Sequence, residues 1–495
     1  MKSFHVDDSP GQQFPGAMAT FAVVALISGC AVGPNFHRPA APAISGYTRQ
    51  ALAAKTTSAD IGGGEEQRLL PDRDIPDQWW TLFQSPQLNT LIDKALKANP
   101  TLVAAQAALR QVQEIVYTQQ GFFYPTVQAS YSASRQKASN ALSPPLSTSD
   151  LTFTLHTAQV TVGFTPDVFG GNRRQVESLQ AQAESQRFLL QAAYVTLTSN
   201  VVAGAVQEAS LRAQIAATRE IIEISTKSLE LTRRQFEAGY VARLDVAAQE
   251  AALAQVEQTL PPLQKQLEQT RDLLTALAGR FPSEDVDEIF EIAGLHVPQD
   301  LPVSVPSTLV EHRPDVRAAQ ESLHAASADI GIAIADRLPQ FTISADYGGT
   351  ATKFGEMFAG GNPFWTLTGN AAQTIFTGGT LLHRQRAAEA AFEQAAAQYH
   401  STVLTAFQNV ADTLYALQND AEGLKAAVLA ERAAKVTLDL TVKQQQIGYV
   451  NYLVLLNAQQ AYQQALLTRV QAQANRLADT AALFQAMGGG WWNRA

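Results

Sequence analysis

The sequence predicts a mainly α-helical chain with a β-barrel part, four strands per chain, built from an internally duplicated unit. Three observations carry this. Two blocks of the chain align with each other, each block holds a pair of segments alternating at period two, and each continues into a stretch of more than sixty residues without proline. Alternation at period two marks half-buried strands, and long proline-free stretches mark helices.

The duplication fixes the order of elements. Asn99-Pro100-Thr101-Leu102-Val103-Ala104-Ala105-Gln106 aligns with Arg313-Pro314-Asp315-Val316-Arg317-Ala318-Ala319-Gln320, and the match runs without a gap to Pro125 and Pro339 at an offset of 214. Gly170-Gly171 then matches Gly378-Gly379 at an offset of 208, and Gly239-Tyr240-Val241 matches Gly448-Tyr449-Val450 at 209. Three motifs in one order at nearly constant offset establish an internal repeat.

Each copy opens with a helix that has proline in its first turn, Pro100 or Pro314, and stops at Pro125 or Pro339. Proline suits the first helical turn, whose N–H groups have no partner, and breaks a helix interior. In copy one the strands are expected over Thr126–Tyr131 and from Leu151 to Phe164. In copy two they are expected over Phe341–Tyr347 and Phe364–Thr368. β-Branched and aromatic residues alternate there with Thr and Ser, giving one apolar and one polar face. Pro144-Pro145 and the Ser/Thr cluster around them mark the first hairpin loop, which accounts for the six-residue change of offset.

Helices are then expected from Asn172 to Ala238 and from Thr380 to Ile447, each ~100 Å long at 1.5 Å per residue. In the second, Val403, Val410, Leu417 and Leu424 interleave with Phe407, Leu414, Ala421 and Val428 at coiled-coil spacing; in the first, Val195, Val202, Ala209 and Ala216 lie seven apart. Return helices follow over Leu244–Leu277 and Leu453–Met487, the first interrupted at Pro261-Pro262. Four strands cannot close a barrel, and strands in lipid must leave no open edge. Three chains donating four strands each would supply twelve, an allowed even number.

The N-terminal region points to the cell envelope. Ala17–Ile27 is apolar but too short to span a bilayer, and it fits the core of a secretory signal. No other apolar run of spanning length is expected. Cys30 is the single cysteine, so no intrachain disulfide can form. Its setting, Ile27-Ser28-Gly29-Cys30, resembles a bacterial lipobox, which implies a diacylated Cys30 as mature N-terminus, and Ala31 after it implies sorting to the outer membrane.

Composition excludes several classes. With 46% hydrophobic and 16% charged residues the chain is not a solvated, disordered one. A net charge of −9 and pI near 5.5 argue against a nucleic-acid partner. The eight histidines form no HExxH or other metal-ligand pair on one helix, and no Walker A sequence is present. Gly62-Gly63-Gly64 reads as a flexible linker, and His312-Arg313 as an exposed polar turn. No catalytic residue, metal site or cofactor is expected beyond the lipid on Cys30.

Cys30-Ala31-Val32-Gly33-Pro34-Asn35-Phe36, Trp79-Trp80-Thr81-Leu82-Phe83, Glu311-His312-Arg313-Pro314-Asp315 and the two Gly-Tyr-Val turns, in this order, resemble the TolC-like outer-membrane factors. Within them the chain looks like the lipoprotein branch that serves tripartite, RND-type efflux pumps. The resemblance implies a homotrimer whose α-helical barrel is continuous with a twelve-stranded transmembrane β-barrel. It implies a periplasmic adaptor protein and an inner-membrane transporter as partners, with a lipid anchor in the outer membrane. Ala238, Gly239, Tyr240 and Val241 with Ile447, Gly448, Tyr449 and Val450 would form the adaptor-docking tip. Arg243, Asp245, Tyr452, Leu453, Leu456 and Asn457 would line the periplasmic aperture, which opens by rearrangement of the tip helices. Asp245 is equally read as a charge favouring a helix N-terminus, and Asn457 departs from the acidic residue frequent in the family.

The implied organisation is a signal peptide at 1–29, a lipidated segment and equatorial wrap at 30–85, repeats at 86–280 and 308–487 joined by a connector at 281–307, and a tail at 488–495. Two other functions fit parts of this pattern. A type I secretion duct shares the fold, although the lipobox and Trp79-Trp80 lean against it. A structural coiled-coil envelope lipoprotein shares the helices but has no use for the strands.

Overall fold

The computed structural model describes residues 31–44, 46–50, 52–71, 73–137 and 152–493. Cys30, the expected signal peptide and the loop around Pro144-Pro145 lie outside the described residues.

The element order follows the duplication. Strand β1 (Arg68–Pro71) precedes helices Pro86–Ala98 and Pro100–Gln120, strands β2 (Thr126–Lys137) and β3 (Thr152–Phe164), and the first long helix, Gly171–Glu237. Helices Arg243–Glu257 and Leu260–Leu277 return, broken at Gln258-Thr259 just before Pro261-Pro262. Strand β4 (Asp300–Val303) and helices Pro306–His312 and Pro314–Ala335 lead into β5 (Gln340–Ala351) and β6 (Pro363–Ala372). The second long helix, Thr380–Gln446, and the helix Tyr452–Ala486 complete the chain; the two long helices have 67 residues each. Local chemistry explains the starts. Asn99 accepts from the N–H groups of Thr101 (2.9 Å) and Leu102 (3.3 Å), with Pro100 in the first turn.

The chain divides into two compact units. The first comprises the residues up to Arg38 with Gln111–Ala183 and Glu321–Ala396. It contains one antiparallel sheet in the order β2-β3-β5-β6, so β2 and β6 are open edges. Its N-terminal segment is held by Arg174, whose guanidinium donates to Val32 O (3.0 Å), Gly33 O (3.2 Å) and Asn35 Oδ1 (2.8 Å). Gly33 has φ +94°, and a Cβ there would lie 2.4 Å from Gly331 Cα, so both glycines are needed for the approach.

The second unit comprises Pro39–Arg110, Glu184–Gln320 and Ala397–Ala495. Trp79, Trp80 and Phe83 form a buried 3₁₀ turn, with Trp79 stacked on Phe484 at 5.2 Å. A small parallel sheet joins β1 to β4. In the second long helix seven of the eight expected seam residues are buried, and Phe407 is half-buried against Tyr47 at 5.6 Å.

Four expectations need correction. In the first long helix Val195, Val202 and Ala209 are buried but Ala216 is exposed, with Ile215 and Ala217 buried in its place. A straight helix drifts ~20° per heptad, which carries the seam off a strict repeat of seven. That helix also holds a stretch long and apolar enough to cross a membrane by composition, but over half of it is buried, with Val201, Val202, Ala205 and Val206 in the core. Gly62-Gly63-Gly64 is an ordered turn, closed by Ala59 N–H donating to Gly64 O (2.8 Å) and held by Gln473 donating to Gly62 O (2.5 Å).

Arg313 is buried, donating to both carboxylate oxygens of Asp315 and to Ala486 O (3.0 Å), and His312 stacks on Trp492 at 4.0 Å. They are no exposed turn, because Arg313 reaches the Ala486 carbonyl at the end of the closing helix and His312 packs against an indole. The tail is packed too: Gly488, Gly489 and Gly490 all have positive φ, and Trp491 donates to His312 O at 2.6 Å.

Candidate functional site

The strand register sorts the sheet into two faces. Thr126 pairs with Gly163, Thr161 with Asp346, and Asp346 with Thr366, so all even positions of β2, β5 and β6 share a face with the odd positions of β3. That face is mainly polar: Gln128, Ser130, Ser132, Thr157, Gln159, Thr161, Ser344, Asp346 and Thr366 lie on it, with Phe153, Leu155 and Phe364 toward the end where β6 begins. It is tied internally by Thr161 donating to Asp346 (2.6 Å) and by the Thr157–Thr350 hydroxyl pair (2.9 Å).

The opposite face carries Val127, Ala129, Tyr131, Val160, Val162, Ile343, Tyr347, Trp365 and Leu367. Its large side chains are exposed, Trp365 at 75% and Val127 at 70%. A contiguous exposed apolar sheet face in register with a polar one is the pattern of a wall between lipid and water.

The two Gly-Tyr-Val segments both form helix-ending turns, and both are built alike. Tyr240 N–H donates to Gln235 O (2.8 Å) and Gly239 N–H to Phe236 O (2.9 Å); Tyr449 N–H donates to Gln444 O (2.9 Å) and Gly448 N–H to Gln445 O (3.0 Å). This double bond pattern ends a helix with a left-handed residue. Gly239 (φ +76°) and Gly448 (φ +73°) supply it, with no crowding at either, so φ and not space demands glycine. Tyr240 and Tyr449 stand 82% and 79% exposed, and Ile447 is equally bare. Ala238 is exposed, and Val241 and Val450 are half-buried.

The following helices start differently. Asp245 accepts from Ala242 N–H at 2.9 Å, capping its helix, whereas Asn451 accepts from Val454 N–H at 3.2 Å. Asp245 therefore takes the capping role and remains half-buried. Arg243 and Leu244 are exposed, with Arg243 at 4.0 Å from Glu250. Leu453 and Asn457 are exposed and Leu456 is half-buried. Tyr452 is buried and its hydroxyl meets Gln249; burial, then the Asp245 charge, push that hydroxyl up to about 12.

Polar ties between helices near the tips were not expected from sequence. Gln445 donates to Gln235 Oε1 (3.1 Å), Gln249 to Ser225 O (3.1 Å) and Gln459 to Ser228 Oγ (2.8 Å). Glutamine is common throughout these helices, so nothing in the local pattern distinguishes those that reach a neighbour.

Comparison with known proteins agrees with this geometry. The family model described as outer membrane efflux protein matches residues 91–280 and 305–489. The chain is 29% identical over 421 residues to the pyoverdine export outer membrane protein OpmQ of Pseudomonas putida, covering 84% of this chain and 89% of that one. It is 26% identical over 479 residues to the toluene efflux pump outer membrane protein TtgC of Pseudomonas putida, covering 97% and 96%. Among solved structures, the outer-membrane channel OprN aligns with a TM-score of 0.83 and 27% identity over 93% of this chain and 100% of that chain.

Proposed function

The chain belongs to the outer membrane efflux protein family, and we propose on that footing that it is the outer-membrane channel subunit of a tripartite efflux pump. It acts as a passive exit duct for small toxic molecules and catalyses no reaction. Its fold is that of the TolC-like outer-membrane channels.

The two-faced sheet with its open edges carries the reading. Among the described residues β2 and β6 leave their outer hydrogen-bonding groups without strand partners, and bilayer hydrocarbon tolerates no such edge. Pairing β2 of one copy with β6 of the next removes both edges, and three copies give a closed barrel of about twelve strands. The polar face then lines water and the apolar face meets lipid. The exposed Tyr240, Ile447 and Tyr449 suit docking to a periplasmic adaptor, which links the duct to an inner-membrane transporter. Energy for export comes from that transporter. Cys30 carries the lipid anchor.

Two experiments test this. Deleting the gene should sensitise cells to the pump's substrates; wild-type complementation should restore resistance, and Tyr240→Ala/Tyr449→Ala should not. Full rescue by the double variant would remove the tips from adaptor docking. Radioactive palmitate should label the wild type and not Cys30→Ser, and label persisting in the variant would sink the anchor.

A further inference from the structure

The apolar face is free of ionisable side chains over most of its height. Besides Tyr131 and Tyr347, the described residues it takes from the four strands include only three: Arg135, Lys137 and His156. All three lie at the same end, where the β2–β3 ladder outruns β5 and β6; the β3–β5 pairing stops at His156↔Ala351. Below this end sits an aromatic cluster in which Tyr131 donates its hydroxyl to His156 Nδ1 or accepts from it (2.8 Å), and Phe354 packs edge-on against both rings at 5.7 and 6.1 Å. Aromatic girdles mark the membrane–water boundary of barrels. From Phe164 to His156 the strand climbs ~27 Å at ~3.4 Å per residue, or ~20 Å at a tilt of ~40°, close to the thickness of an outer-membrane apolar band.

Above the girdle the same face changes chemistry. Arg135 is opposite Thr154 and Lys137 opposite Thr152, so a guanidinium, an ammonium and two hydroxyls share one patch about two residues tall. No carboxylate among the described residues pairs with either cation, and none lies on this face of the four strands, whereas Lys353, in the turn between β5 and β6, is held by Glu356 at 3.1 Å. Fork-shaped Arg donors with an adjacent Lys and hydroxyls match a phosphate monoester.

We propose that Arg135, Lys137, Thr152 and Thr154 form a binding site for the phosphate group of a phosphorylated glycolipid in the outer leaflet. The inference rests on the outer-membrane reading above. Charge complementarity and height both select a lipid headgroup: the patch stands one step above the aromatic girdle, where the phosphates of such a lipid lie, and faces away from the polar lining.

The test uses the full-length protein in nanodiscs of phosphatidylcholine containing a fixed fraction of diphosphorylated lipid A, with retained glycolipid counted by native mass spectrometry. The wild type should retain it, and Arg135→Gln/Lys137→Gln should lose about tenfold or more, since each cation near a charged lipid surface changes binding several-fold. Lys353→Gln, already paired with Glu356, and Arg135→Lys should retain most of it. Equal retention by the double variant, or equal retention of the dephosphorylated glycolipid, overturns the site. Displacement by millimolar inorganic phosphate would assign it to a soluble anion and overturn the lipid assignment. Quenching of Trp365 by brominated lipid, read against Trp365→Phe, separates the two levels. Without quenching the membrane reading itself fails and takes this site with it; with quenching and unchanged retention, only this proposal fails.

Discussion

Gln445 donates its side-chain amide to the side-chain oxygen of Gln235 at 3.1 Å, tying the last turn of one 67-residue helix to the last turn of the other. The bond lies just before both Gly-Tyr-Val tips. It joins two helices whose tips the resemblance expects to rearrange when the duct opens. A neutral hydrogen bond of this kind contributes about 1 kcal/mol, enough to bias a gate without locking it.

Gln235→Ala/Gln445→Ala should therefore favour the open tip. Cells producing the double variant should become more sensitive to a large antibiotic that the outer membrane excludes, by about fourfold or more, since losing one tie of about 1 kcal/mol shifts a two-state equilibrium by ~5-fold. Unchanged sensitivity at equal protein level would remove this pair from gating.

The tip glycines make a separate prediction. Gly239→Ala and Gly448→Ala each place a Cβ at a φ above +70°, where an L-residue costs about 1–2 kcal/mol, although open space surrounds both. Each variant should lower the melting temperature of the purified protein by a few degrees, and Gly→Asn should lose less, because Asn tolerates this backbone. An alanine variant as stable as the wild type would show that the turn readily changes its form.

Stability should fall as pH rises from about 4 to about 7 because of Asp420. Burial first, then Asp479 beside it, push the Asp420 carboxyl up to about 7, while the buried Arg476 opposes the shift. The folded chain holds this proton where the unfolded chain, with an ordinary value of 3.8, has released it. The contribution is thus full below the unfolded value and lost as pH passes the folded one. Asp420→Asn should match the wild type near pH 4 and melt at least about 2 °C higher at pH 8. A variant less stable at both pH values would refute the shared-proton account.

The C-terminal residues should act as a clasp. Trp491 donates to His312 O, Trp492 to Asp74 Oδ1 at 2.8 Å, and Asn493 to Ile75 O at 2.8 Å. Trp491 is half-buried, so Trp491→Ala should cost about 2–3 kcal/mol, below the range for a fully buried ring. Chemical denaturation followed by circular dichroism would measure it.

Much of this fold was legible because it is local and written twice. A glycine followed by Tyr-Val at the end of a proline-free stretch specifies the same turn wherever it occurs, and Gly239 and Gly448 both adopt it. The strands were found but cut short. β2 was expected to end at Tyr131 and runs to Lys137; β6 was expected to end at Thr368 and runs to Ala372. Ser134-Arg135-Gln136 and Gly369-Asn370-Ala371 have weak strand propensity, and their ladders are supplied by β3 and β5.

Contacts between residues far apart in sequence left no local trace. The parallel pairing of β1 with β4, the burial of Arg313 against Ala486 and the Gln235–Gln445 tie all depend on where other helices pass. The residues expected at the aperture are legible only as the starts of two helices. Asp245 caps its own helix, and Tyr452 turns inward against Gln249, while Leu453 and Asn457 stay exposed.

Single-channel recording in planar bilayers tests the duct most directly. Purified wild-type protein should insert as trimers and give small discrete conductance steps, and Gln235→Ala/Gln445→Ala should give larger ones. Trimers that insert without any conductance, in both the wild type and the double variant, would contradict the duct.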